Sequence, residues 1–132
     1  MSKVFLGGTC NGSTWRNRLI VQLDIEFFNP VVDDWTEDCM AEEIRQREIC
    51  DFCLYCITPM MTGVYSIAEV VDDSNKRPEK IILVVLTSDG DKKFSEGQTR
   101  SLKSVSRMVH KNGAQVFTDL KSAAIYLNEK EV

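Results

Sequence analysis

Histidine is almost absent: the 132 residues contain one, His110, near the expected carboxyl end of a helix, where a cation is favourable. Nothing around it is composed like a nucleophile–base–acid set, so Ser–His–Asp hydrolysis has no support. A basic excess is absent too. Lys and Arg number 16 against 20 Asp and Glu, the net charge is -4 and the pI about 5.0. A surface wrapped by a nucleic-acid polymer is therefore not expected. A small anionic ligand stays compatible, because helix N-termini bind anions without net positive charge. No apolar run reaches membrane-spanning length, so no membrane partner is expected. Met1-Ser2-Lys3 leads straight into a strand without a signal-peptide pattern. The five cysteines are odd in number and not spread as a disulfide framework, which together point to the cytoplasm. There is no internal repeat, linker or low-complexity tract. One domain over residues 1–132 is expected, with 43% apolar residues to build its core.

What is present is an alternation of apolar runs with helical periodicity. Strands are expected at residues 3–8, 25–28, 51–57, 80–86 and 114–117. Ser13 or Thr14 can cap a helix reaching about Leu23, with Trp15, Leu19, Ile20 and Leu23 on one face. Thr36 can cap a second helix over about 37–50, with Met40 and Ile44 turned inward. A third should span about 64–73, followed by a polar turn at 74–79. Residues 87–93 form a polar loop. The fourth helix covers about 96–111 and ends at Asn112-Gly113, and the fifth covers 120–128 with Asp119 as cap. Such alternation implies a parallel sheet with right-handed crossovers and helices on both faces. The expected class is α/β, a flavodoxin-like three-layer sandwich with a five-stranded parallel sheet in the order 2-1-3-4-5. The loops after the first and third strands should then face each other across one crevice. The loop carrying Asp33, Asp34 and Trp35 can reach it from the second strand.

Three features bear on chemistry. Residues 7–13, Gly7-Gly8-Thr9-Cys10-Asn11-Gly12-Ser13, join a strand to a helix start with small side chains. Such a loop lets a ligand approach the backbone, or simply turns tightly between packed elements. It is neither a Walker loop nor GxGxxG, and only loosely resembles a flavodoxin phosphate loop. Cys50, Cys53 and Cys56 have cluster-like spacing but lack a fourth cysteine. In a strand, residues three apart face opposite ways, so buried inert thiols are expected and neither metal nor other cofactor. Glu69 lies in the first turns of the third helix, beyond the carboxyl end of the third strand. A carboxylate there can act as nucleophile, base or sugar ligand, or merely offset the positive helix end. Asp51 begins the third strand, at the opposite end.

In order along the chain, VFLGG, FFNPVVDDW, ICDFCLYCITP, GVYSIAEV, IILVVL, FSEGQ and AQVFTDLKSAAIYL together resemble nucleoside 2-deoxyribosyltransferase-like proteins. The resemblance implies cleavage or transfer of the N-glycosidic bond of 2′-deoxynucleosides or their monophosphates. It implies Glu69 as the nucleophile, forming a deoxyribosyl-enzyme intermediate, with a second base or water as acceptor. Asp51 matches an acidic residue before the family's third strand and is carried over as a catalytic candidate. Gly7, Gly8 and Thr9 match the loop beside the sugar, and Gly63 and Ser66 the small residues around the sugar or 5′ group. Asn11 joins the binding set, Asp33 or Asp34 is the candidate acid for the leaving base, and Trp35 its stacking partner. The implied partner is a small-molecule deoxynucleoside or deoxynucleotide, and a homo-oligomer is expected. Two departures stand out: Glu69 is followed by Val70-Val71 where the family has a glycine two places on, and the first loop has no tyrosine to hold the glutamate. A non-catalytic nucleoside- or nucleotide-binding module of the same fold is the alternative.

Overall fold

The computed structural model describes residues 2–10, 12–31 and 36–130. Five parallel strands form the main sheet. They are β1 (Lys3–Gly8), β2 (Glu26–Phe28), β3 (Phe52–Ile57), β4 (Ile81–Val85) and β7 (Gln115–Phe117). Their order is β2-β1-β3-β4-β7, which is the expected 2-1-3-4-5 once a small hairpin is set aside. That hairpin, β5 (Ser88–Asp89) and β6 (Lys92–Lys93), was expected as a plain loop; Gly90, at φ +62°, turns it. Helices α1 (Trp15–Ile20), α2 (Glu37–Ile49), α3 (Tyr65–Lys76), α4 (Glu96–Lys111) and α5 (Leu120–Glu129) connect the strands. None of the described helices is long and apolar enough to cross a membrane.

The period of two along the central strands divides the core. Val4, Leu6, Leu54, Cys56, Ile82 and Val84 face α1 and α5, where they pack on Trp15, Leu19, Ala123 and Leu127. Phe5, Cys53, Tyr55, Ile57, Leu83 and Val85 face the other way, toward Val70, Leu102 and Val109. Every residue of β3 and β4 is buried, as befits parallel strands covered on both faces. Cys53 and Cys56 lie in opposite core layers, so the two thiols cannot share a ligand. Burial holds the Cys53 thiol up to about 12.

The helix caps follow local chemistry. Thr36 and Asp119 accept from the backbone N–H groups of Cys39 and Ser122, and Ser95 forms a reciprocal box with Gln98. Other expectations fail. Helix α1 ends at Ile20 instead of about Leu23, and its first residue is preceded by Thr14 without a side-chain cap bond. Helix α3 runs on to Lys76 because its polar end is buried: Asp73 and Ser74 are fully covered and have partners inside the protein. Met40 and Ile44 are 48% and 50% exposed, not inward. The inner side of α2 is polar, with Gln46 buried and Arg47 reaching across to Tyr55 and Asp73.

Candidate functional site

Strand β1 pairs on one side with β2 and on the other with β3, and the helices that follow β1 and β3 pack on opposite faces of the sheet. A crevice opens where they part, the usual ligand position in open α/β sheets. Its back wall is built by close approach. Gly8 has φ +116°, and a Cβ there would lie 2.2 Å from the carbonyl oxygen of Cys56. The next residue closes the seam: Thr9 N–H donates to that same carbonyl at 2.9 Å, and the Thr9 hydroxyl accepts from Thr58 N–H at 3.0 Å. Gly7 leaves room for the Tyr55 ring, whose Cε1 would be 2.7 Å from an added Cβ.

The crevice has a volume of about 510 Å³ and its walls include Gly7, Gly8, Arg16, Glu43, Ser66 and Glu69. A smaller arm of about 210 Å³ shares Gly8, Cys10, Ser66 and Glu69 and adds Thr9 and Gly63. Of the residues singled out in the sequence, Gly7, Gly8, Thr9, Gly63, Ser66 and Glu69 thus converge on one space. Asn11, Asp33, Asp34 and Trp35 lie outside the described residues. Asp51 does not reach the crevice. It sits at the amino end of β3, where its Oδ2 accepts from Lys3 N–H at 2.9 Å and ties the first two central strands together.

Glu69 is mostly covered, with 11% of its side chain exposed, and its Oε2 lies 3.2 Å from Arg47 Nη1. Despite the ion pair, Glu69 lines the same space as Gly7 and Gly8. Burial raises the Glu69 pKa, Arg47 pulls it down, and Glu43 and Asp73 push it up again. The Glu43 side chain has neither a hydrogen bond nor an ion pair among the described residues. Burial raises it too, against the pull of Arg47 and Arg16.

Sequence reasoning missed three charged residues here. Arg16 is buried under the glycine loop; it donates from Nη1 to Thr9 O at 2.7 Å and from Nε to Leu6 O at 3.2 Å. Its guanidinium stacks on Trp15, 4.5 Å from the ring centre. Only its place one residue after an apolar anchor hinted at burial. Glu43 and Arg47 sit in a charged stretch of α2 that reads as a solvated face. They are four residues apart, hence on one side of the helix, but nothing local says that this side is the inner one.

This arrangement can do defined chemistry: two half-buried carboxylates, one with a fixed cation, border a space walled by bare backbone. Neither the curated proteins nor the solved structures give a match to this chain. One family's sequence model, described as nucleoside 2-deoxyribosyltransferase like, does match at residues 1–88, the part of the chain that supplies every wall of the crevice, and the chain belongs to that family.

Proposed function

We propose that the crevice cleaves or transfers the N-glycosidic bond of a 2′-deoxynucleoside or its monophosphate, with Glu69 as nucleophile. The observation that carries this reading is the pair of carboxylates, Glu69 and Glu43, on the walls of one cavity beside the Gly7-Gly8 backbone. Glycosidic cleavage needs two such groups in opposite protonation states. A Glu69 oxygen bonds to the anomeric carbon as the carbon–nitrogen bond breaks. The bonding pair leaves with the base nitrogen, which takes a proton from Glu43. The deoxyribosyl ester on Glu69 is then attacked by water or by a second base. The incoming group gives its proton to Glu43, and the Glu69 carboxylate is released. The upward shift of Glu43 suits a proton donor, and the pull of Arg47 favours the ionised form of Glu69. Glu69 must be ionised, so activity rises as pH climbs through its pKa. Glu43 must keep its proton, so activity falls as pH climbs through its own.

The test is incubation with deoxynucleosides, with and without a second free base, followed by chromatography. Base release, and exchange when a free base is added, are expected from the wild type. Glu69→Gln should abolish both while shifting Tm little. Release at the wild-type rate from that variant would overturn the assignment.

One observation favours the alternative of a binding module: Glu69 already has an ionic partner. Thermal stabilisation by deoxynucleosides without any base release would establish that reading instead. The homo-oligomer is likewise a proposal. Met40, Ile44 and Ile49 leave apolar surface exposed along α2, beside the crevice wall formed by Glu43. Light scattering of the wild type and of a Met40→Glu/Ile44→Glu double variant tests it, with a monomeric wild type refuting it.

A further inference from the structure

We infer that Arg47 is a positioning residue that selects Glu69, and not Glu43, as the carboxylate that attacks the sugar. This rests on the glycosidic reading above and adds to it the device that tells the two carboxylates apart.

The guanidinium is pinned on two edges. Arg47 Nη2 lies 3.1 Å from each oxygen of Asp73, and Nε donates to the Tyr55 hydroxyl at 3.1 Å. Asp73 is fully buried and is itself held by the Tyr55 O–H and by Arg77 Nη2 at 2.7 Å. These groups come from three elements, α2, β3 and α3, so Arg47 cannot swing without breaking a buried network. Nη1 is left pointing at Glu69 Oε2 at 3.2 Å. One carboxylate oxygen is thereby paired, on a residue that lines the crevice.

Glu43 stands on the same helix as Arg47 and on the wall of the same cavity, but no donor reaches it among the described residues. Two carboxylates in one partly buried space resist being charged together, and the better-placed cation decides which one holds the charge. The groups around Glu69 are Arg47 and Glu43 from α2 and Asp73 from its own helix. Arg16 and Cys10 lie on the walls of the larger cavity, and Cys10 and Tyr65 on those of the smaller arm. Arg47 is the only one of the cations among these within ion-pairing distance of Glu69. Burial alone would lower the Arg47 pKa, but Tyr55, Asp73 and Glu69 together raise it, so the residue stays charged throughout the working range.

The experiment uses Arg47→Met and Arg47→Lys in the full chain, with three readouts: Tm, kcat and KM across pH, and the Glu69 carboxyl carbon followed by NMR titration, assigned with Glu69→Gln. Arg47→Met should lower kcat ten- to a hundredfold with little change in KM, as for a reacting group misplaced by about 1 Å. Its acid limb and the Glu69 titration should both move to higher pH. Arg47→Lys keeps the charge but not the fork. It should leave the acid limb in place while kcat still falls about tenfold. Asp73 retains Arg77 and Tyr55 in either variant, so folding is expected to survive. An unmoved Glu69 titration with unchanged kcat in Arg47→Met overturns the inference. Should that variant not fold, wild-type kcat in Arg47→Lys overturns it. If the wild type releases no base at all, the glycosidic reading falls. The Glu69 titration then still decides whether Arg47 keeps the charge on Glu69, apart from any attack on a sugar.

Discussion

Replacing Gly8 by alanine tests whether the crevice depends on the seam between β1 and β3. Two costs can be worked from the geometry. The residue sits at φ +116°, where a side chain is strained, which costs of order 1–3 kcal/mol. The new methyl would also lie 2.2 Å from the Cys56 carbonyl oxygen, so the strands must separate there. Separation stretches the 2.9 Å bond from Thr9 N–H to that oxygen. Leaving those buried groups unpaired costs about 1–3 kcal/mol more. The sum, about 2–6 kcal/mol, is a large part of the roughly 5–15 kcal/mol that holds a domain together. Urea unfolding followed by circular dichroism measures it. Gly63→Ala is the internal control, because nothing lies within 4 Å of its added Cβ. It should change stability by less than about 0.5 kcal/mol, while any loss of ligand binding would report a direct contact. Gly7→Ala should fall between the two, since its clash is with a side-chain ring, Tyr55, and not with backbone. A Gly8→Ala protein within about 1 kcal/mol of wild type would refute the reasoning and with it the account of how the crevice is held open.

Other substitutions separate structural from chemical roles. Asp51→Asn weakens the acceptor for Lys3 N–H at the far end of the sheet; it should cost about 1 kcal/mol and leave base release unchanged, and a selective loss of kcat would return Asp51 to the catalytic set. Cys10 is exposed on the crevice wall whereas Cys50, Cys53 and Cys56 are buried. Iodoacetamide with peptide mapping should therefore label Cys10 far ahead of those three, and saturating deoxynucleoside should slow it; equal rates with and without ligand would place the ligand elsewhere. Glu43→Gln should remove the alkaline limb of the pH profile and slow cleavage of natural bases. A 4-nitrophenyl 2-deoxyriboside, which leaves without a proton, should be spared, so equal losses on both substrates would exclude Glu43 as proton donor.

The sheet was legible because its signals are local. Runs such as IILVVL, buried on both faces, permit few other readings, and the glycine pair closing β1 marks where backbone meets backbone. The place of Glu69 beyond a strand end pointed to the crevice, and the residue lines it. The inner side of α2 was not legible. Met40, Ile44 and Ile49 are its large apolar residues and are exposed, whereas Glu43, Gln46 and Arg47 turn in. A rule that puts apolar residues inside fails when the inner partner is itself polar, and here the partner is Asp73. The same pairing hid the end of α3: Ser74, Asn75 and Lys76 read as a turn because nothing local shows that Asp73 and Ser74 are buried against partners far along the chain.

Charge balance links those hidden residues to the proposed reaction. Arg47 and Arg77 carry two positive charges against the two carboxylates they bind, Glu69 and Asp73. A neutral set of this kind is what permits burial of Asp73. When Glu69 forms an ester with the sugar, it gives up its negative charge, and Arg47 loses a counter-ion. In the same proposed step Glu43 hands its proton to the leaving base and becomes an anion on the same wall of the crevice, within the field of Arg47. Negative charge therefore moves from one glutamate to the other while the total around the guanidinium stays fixed. Deglycosylation reverses the exchange. A site arranged this way needs no reorganisation of its buried network during turnover, which is the condition under which preorganised charge contributes most to catalysis. On this reading the ion pair is not a mark of a merely structural Glu69: it holds the attacking carboxylate, while Glu43 feels Arg47 only through its field.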